Sequence, residues 1–239
     1  MKLPRFTDLI LFEDDDFIVV NKPPFIPSLD DRNTDDISML RLAKRYADDA
    51  QIAHRLDKET SGALIFAKNP EAYRSASMQF ERRKVNKVYH ALIDGHHAFD
   101  NLLVDLPILT LGKGTVTISR QEGKRAETIF NSLTYFKHYT LVECKPVTGR
   151  MHQIRIHLAT QRASIAADET YGGKPFYLSN IKRGYRTGKD EEEQPVLKRF
   201  ALHAWEVTFT LMNSESKTIH APYPKDFETV LKLLEKFDR

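Results

Sequence analysis

Short runs of Val, Ile, Thr, Phe and Tyr punctuate this chain at uneven intervals, which a regular strand-helix alternation does not accommodate. They lie at Phe17–Asn21, Ala63–Ala67, Val88–Asp94, Thr115–Ser119, Glu127–Phe136, Tyr139–Cys144 and Ala204–Leu211. Helices interrupt them irregularly. Asn69-Pro70-Glu71 combines a capping side chain, a proline at the first helical position and an early acid, and predicts a helix through about Arg82. A tail helix follows from Phe227, Val230, Leu231, Leu234 and Phe237, which share one face, with Asp226 as its expected cap. The class these patterns predict is α+β, with a mixed, largely antiparallel central sheet and flanking helices and loops.

No internal repeat, Gly/Ser linker or sharp shift in composition divides the 239 residues, so the expectation is one continuous domain over residues 1–239. An apolar fraction of 41% argues against disorder. The lone Cys144 sits inside an apolar run and reads as a buried, inert thiol, which fits a reducing, cytosolic setting. The N-terminus lacks a signal-like apolar core and no stretch approaches the ~18 apolar residues of a membrane span, so a soluble, unexported protein is expected. The net charge of +3 does not by itself argue for a nucleic-acid partner, and clustering must carry that argument. Between Gly173 and Arg199 the chain turns polar, with Lys182, Arg183, Arg186 and Lys189 before Asp190 to Glu193. It reads as an exposed insertion over about residues 176–199, either solvated or an RNA-contacting arm.

The densest chemistry lies in His54-Arg55-Leu56-Asp57-Lys58-Glu59-Thr60-Ser61-Gly62, where a carboxylate stands among cations just before an apolar strand. Nearby positive charge keeps such a group ionised, which suits a nucleophile or a general base. Ordinary turn chemistry is the alternative, with Asp57, Thr60 and Ser61 bonding local backbone and Gly62 relieving a tight turn. A second dense run, Thr148 to Leu158, reads as a helix that keeps Arg155 off the stripe of Ile154 and Leu158. Its arginines, histidines and glutamine each need a partner if buried; phosphate or carboxylate recognition and a solvated helix face both remain open. Arg82-Arg83-Lys84 runs into a strand carrying Lys87 and Tyr89, the mixture of cations and an aromatic ring that holds unstacked nucleotides, although Tyr89 also reads as a core residue. Lys113, Arg120, Lys124 and Arg125 extend the possible basic surface.

A metal site is not expected. His152 and His157 are five apart, off the i, i+4 face of a zinc-binding helix, and one cysteine makes no cluster. Lys113-Gly114-Thr115 has the ending of a phosphate-binding loop without its opening glycine, which disfavours nucleoside triphosphates.

The run His54 to Lys68, H-R-L-D-K-E-T-S-G-A-L-I-F-A-K, resembles the catalytic motif of RluA-type pseudouridine synthases. Asn21-Lys22-Pro23-Pro24 is similar to the family's opening K-P segment, Lys87-Val88-Tyr89 to its K-x-Y segment, and Thr148 to Leu158 to its G-R-x-H-Q-x-R-x-H motif. Asp168 to Gly172 is similar to the D-x-x-Y-G that follows, and Leu202-His203-Ala204 to a late L-H-A, so the resemblance spans roughly residues 17–210. It implies isomerisation of uridine to pseudouridine in RNA, without cofactor or metal. On that resemblance Asp57 is the nucleophile, Tyr89 stacks on the flipped base and assists loss of the C5 proton, and Arg155 pairs with Asp57. Arg55 supports the flipped nucleotide, Leu202 packs at the site, and His54, Thr60, Arg150, His152 and Gln153 are further substrate-binding candidates.

Phe25 and Ala167 stand where relatives often carry glycine, so those two turns must be made without the residue that takes left-handed conformations freely. The S4 RNA-binding domain that often precedes the family's motif is expected to be missing, which leaves RNA selection to the catalytic domain's own loops. Large-subunit ribosomal RNA is the first expected partner and transfer RNA the second, for a cytoplasmic monomer. The rival readings are a non-catalytic RNA-binding or ribosome-assembly protein on the same fold, and an Asp-dependent metal hydrolase using Asp168-Glu169 as extra carboxylates.

Overall fold

The structure is a computed structural model and describes residues 3–30, 36–185, 188 and 192–239, with Lys113 described by its backbone alone. Arg186, Lys189, Asp190 and Glu191 of the polar stretch lie outside the described residues, as does the side chain of Lys113. In chain order the regular elements are β1 (Ile10–Glu13), β2 (Phe17–Lys22), α1 (Met39–Tyr46), β3 (Gln51–Ile52), β4 (Ser61–Ala67), α2 (Pro70–Glu81), β5 (Asn86–Asp94) and β6 (Leu102–Asp105). There follow β7 (Ile108–Thr110), β8 (Val116–Ile118), β9 (Glu127–Tyr135), β10 (Tyr139–Pro146), α3 (Gln153–Thr160), β11 (Leu202–Thr210), β12 (Ser216–His220) and α4 (Lys225–Phe237). The fold is α+β, and every β-rich run of the sequence coincides with a strand to within a few residues. The contacts group the chain into two compact units, Met1–Val88 with His203–Tyr223, and Tyr89–Leu202 with Pro224–Arg239.

In the first unit β4 is the central strand. It pairs antiparallel with β2 along one edge, while its other edge takes β3 at Phe66 and Ala67 and, in parallel, β11 at Ser61 and Gly62. All seven residues of β4 are buried, as its unbroken apolar sequence requires of a strand covered on both faces. On one face Phe17, Val19, Ala63 and Ile65 pack with Val207 and Phe209 and with Ala72 and Ala76, one turn apart on α2. Asn69 caps α2 by accepting from the Ala72 N–H, and Pro70 takes the first helical position. Gly62 is obligatory where β11 arrives. Its φ is +116°, and a Cβ there would stand 2.2 Å from the carbonyl oxygen of Ala204.

The second unit is built on the antiparallel order β5-β10-β9-β6, with β7 and β8 as a separate hairpin. Cys144 on β10 is free and buried, and burial raises its thiol well above the ordinary value. Helix α3 is tied to the start of β9 by polar side chains. The Gln153 amide donates to the Glu127 carbonyl and the Thr128 hydroxyl, and the His157 ring meets Thr128 and the Leu106 carbonyl. Gln153 to Leu158 are all buried, so the buried donors of this run do find partners, and a solvated histidine-rich face is not what forms.

Two expectations need correction. Asp226 is not the N-cap of α4, which is Pro224; its carboxylate lies within the first turn, where it accepts the Phe227 N–H at 2.8 Å and pairs with the fully buried guanidinium of Arg199. The segment 176–199 is not exposed throughout. Phe176 bridges Leu197, and both are buried with Ile181 and Arg199, so apolar anchors fasten its ends. Among the described residues no helix is long and apolar enough to cross a membrane.

Candidate active site

Asp57 lies between two pinned neighbours. On its N-terminal side the Ser28 hydroxyl donates to the Leu56 carbonyl at 2.7 Å and accepts from the Leu56 N–H at 3.0 Å. On its C-terminal side the Lys58 carbonyl accepts the Phe25 N–H at 2.8 Å and the Lys22 ammonium at 3.0 Å. The Asp57 carbonyl itself takes the Thr60 N–H at 3.1 Å, so backbone turn chemistry of the kind read from the sequence is present. These bonds hold the backbone of a half-buried carboxylate without spending its oxygens, a suitable mounting for a reactive group.

Lys22 was not singled out from the sequence. Its ammonium is completely buried at the end of β2 and donates to the carbonyls of Pro23, Ile26 and Lys58. A buried cation must have such partners, and the sequence carries a clue: Lys22 follows Ile18 and Val20 at the two-residue strand spacing and so falls on their face of β2. Ser61, read from the sequence as a turn residue, and His203, quoted only within the L-H-A segment, meet each other: the ring Nδ1 lies 2.9 Å from the Ser61 hydroxyl and Nε2 2.9 Å from the Ala221 carbonyl, which ties the start of β11 to β4 and to the residue after β12.

The other candidates in this segment differ in environment. Arg55 is exposed and Thr60 buried. His54 completes the sheet: between β3 and β11 on the same edge of β4, its Nε2 accepts the Ile65 N–H at 3.2 Å, and its ring packs on Phe80 at 4.7 Å. Burial, assisted by the Lys87 charge, pushes its pKa down to about 3. Burial also lowers Lys87 to about 8 and, in the second unit, His90 to about 4. Both histidines are therefore neutral when folded and bind protons near pH 6.5 when unfolded. Their contribution to stability is complete above pH 6.5 and is lost as the pH falls toward 4, with a limiting slope of about 1.4 kcal/mol per pH unit for each group. Urea unfolding at pH 7 and pH 5 is expected to show this loss, and His54→Gln, which keeps an acceptor for Ile65 without titrating, should lessen it. Equal pH dependence in wild type and variant would remove His54 as the cause.

In the second unit Tyr89, half-buried on β5, faces Cys144 across the β10 pairing. Arg155 on α3 is held by Asp168 through two bonds of 2.7 Å, from Nε to Oδ2 and from Nη2 to Oδ1, with side chains only 6% and 1% exposed. The rings of Tyr171 and Phe200 lie 4.9 and 4.1 Å from its guanidinium carbon. Asp168, the carboxylate considered as a metal ligand, is thus engaged by a cation. Gln153 accepts from the Thr148 hydroxyl and the Arg150 N–H besides its two donations, so its amide is spent on the turn that positions Arg150. Arg150 is exposed and donates from Nε to the Arg125 carbonyl, while Arg125 pairs with Glu127. His152, at φ +51°, bonds the Tyr171 hydroxyl at 2.8 Å, and Leu202 is buried at the start of β11.

Both positions that depart from glycine adopt left-handed backbone: Phe25 at φ +68° and Ala167 at φ +62°. That conformation costs a residue with a Cβ roughly 1–2 kcal/mol. Ala167 is held there because its N–H reaches the Lys174 carbonyl while Asp168 turns back to Ile165. Ala167→Gly is expected to stabilise the fold by about 1 kcal/mol, a rise of about 2–4 °C in Tm by calorimetry; an unchanged or lower Tm would contradict this account of strain.

The family described as RNA pseudouridylate synthase matches residues 16–160 of the chain. The ribosomal large subunit pseudouridine synthase C of Vibrio cholerae is 33% identical over 233 residues, covering 96% of this chain and 70% of its own length. The protein of the same name from Escherichia coli is 35% identical over 240 residues, covering 98% and 72%. Among solved structures, human RNA pseudouridylate synthase domain containing 4 has a TM-score of 0.71 at 25% identity over 96% of this chain and 94% of that one. Human RNA pseudouridylate synthase domain containing 1 shares the fold, with a TM-score of 0.68 at 24% identity over both chains in full.

Proposed function

The chain belongs to the RNA pseudouridylate synthase family and is an RNA pseudouridine synthase; from that premise we propose that Asp57 is its nucleophile and that its substrate is a uridine of large-subunit ribosomal RNA. The reaction is an isomerisation. The bond from C1′ to N1 breaks, the base turns, a bond from C1′ to C5 forms, the C5 hydrogen leaves as a proton and N1 gains one. Nothing is oxidised or reduced. The Asp57 carboxylate attacks the nucleotide, at C1′ or on the base, and departs when the new bond closes. On the family resemblance Tyr89 stacks on the extruded base and assists departure of the C5 proton, and Arg155 is the cation assigned to the nucleophile. Because a paired uridine must leave its stack to react, Arg55 and Arg150 supply cations to the displaced backbone, with His54, Thr60, His152, Gln153 and Leu202 shaping or supporting the site.

The observation that carries this reading is the mounting of Asp57: a carboxylate inside the family's motif whose neighbours on both sides are fastened through backbone bonds and Lys22. The ribosomal target follows from the relatives named for the large ribosomal subunit. On this reading the two units serve one catalytic domain, acting as a cytoplasmic monomer. The test is tritium release from RNA labelled at uridine C5, with ribosomal and transfer RNA offered separately and no metal added. Release from ribosomal RNA is expected. Release from transfer RNA alone would move the substrate, and release from neither would favour the non-catalytic RNA-binding reading.

A further inference from the structure

Phe25 carries two unfavourable features at once. Its backbone is left-handed, which a bulky residue adopts rarely, and the residue is 40% exposed. Glycine would remove the first and a polar side chain the second. The conformation is nevertheless enforced. Pro23 and Pro24 precede it, Ile26-Pro27 follows, and its N–H is tied at 2.8 Å to the Lys58 carbonyl, one residue from Asp57. Ile26 is buried, so the ring alone of this pair stands outward. In the same unit Arg55 and Leu29 are exposed, and the exposed Lys58 ammonium is paired with Asp36 at 2.6 Å. Backbone strain that the surroundings impose at a reactive segment is a mark of function.

We propose that Phe25 is a substrate-contacting residue whose ring stacks on an RNA base next to the uridine to be isomerised, replacing stacking surface that the uridine gives up when it leaves the strand. The proposal rests on the assignment of Asp57 as nucleophile, since it is the attachment to Lys58 that places the ring at this segment. A ring can stack on any base, so it supplies affinity and placement without reading sequence, while the exposed Arg55 is available to a phosphate. The bracketing prolines mean that little freedom is lost when RNA binds.

The test compares Phe25→Gly, Phe25→Ala and Phe25→Trp with wild type. Without RNA, Phe25→Gly should melt at or above the wild-type temperature, because the left-handed strain is relieved; a structural role would lower it. With C5-tritiated bulk ribosomal RNA, KM should rise roughly ten- to a hundredfold in the Gly and Ala variants and return toward normal in Phe25→Trp. The protein has one tryptophan, Trp205, so Phe25→Trp placed in an Asp57→Asn background adds a second fluorophore whose emission RNA should quench beyond the wild-type response. Gly and Ala variants with KM within twofold of wild type, or no added quenching, would overturn the proposal. The quenching arm needs no turnover, so it decides the role of the ring even if wild type releases no tritium, an outcome that would count only against the assigned reaction.

Discussion

Asp57→Asn is expected to abolish tritium release from C5-labelled RNA, with turnover falling by at least about 10⁴-fold. The substitution is nearly isosteric. The bonds that hold this segment run through the Leu56 N–H and carbonyl, the Asp57 carbonyl and the Lys58 carbonyl, none of which it alters. What is removed is the negative charge and electron pair that form the covalent bond to the nucleotide. RNA affinity should change by only a fewfold, because phosphate contacts dominate binding and Asp57 contributes none. Single-turnover tritium release measured beside filter binding separates the two quantities. A variant that retains more than about 1% of wild-type turnover would end the assignment of Asp57 as nucleophile.

Asp168→Ala is expected to destabilise the fold by about 3–5 kcal/mol, because breaking a buried ion pair by removing one partner leaves the other charge poorly compensated. For a chain of this size that corresponds to a fall of roughly 6–20 °C in Tm. The geometry supports the upper half of the range: both bonds are 2.7 Å, the contact is bidentate and both side chains are shielded from water. Activity should fall with it, since Arg155 loses the partner that fixes its planar head between Tyr171 and Phe200. The double variant Arg155→Met with Asp168→Leu distinguishes fold from function. Apolar side chains of similar size should recover most of the lost stability while leaving the enzyme inactive. Activity in that double variant would remove the pair's functional role, and a Tm for Asp168→Ala within about 2 °C of wild type would remove its structural role.

Elements with strong local signals were legible before any coordinates. The cap and proline at Asn69-Pro70 specify where α2 begins, and the β-branched runs specify β2, β4 and β9. Helix α1 and the short strands β1, β3, β6, β7 and β12 were not legible, because a few residues at a sheet edge carry no periodicity and pair only where a neighbour happens to lie. The same limit applied to side chains. Asp226 beside an apolar helix face reads as a cap, yet it sits inside the first turn, where it takes the Phe227 N–H and also pairs with Arg199, 27 residues earlier. His54 and Arg55 are consecutive in one motif, but one ring is spent on the Ile65 N–H and the other side chain faces solvent.

By itself the sequence determined the class of fold, the chemical types gathered in the motifs and the family to which they belong, because strand propensity, helix caps and motif spacing are local properties of the chain. It also marked Phe25 and Ala167 as unusual. Tertiary structure alone decided what each polar group is for. Lys22 gathers three carbonyls behind Asp57, Asp168 takes the guanidinium of Arg155, and both non-glycine turns are forced into left-handed backbone. A buried charge or a strained turn is stable only if distant residues supply its partners.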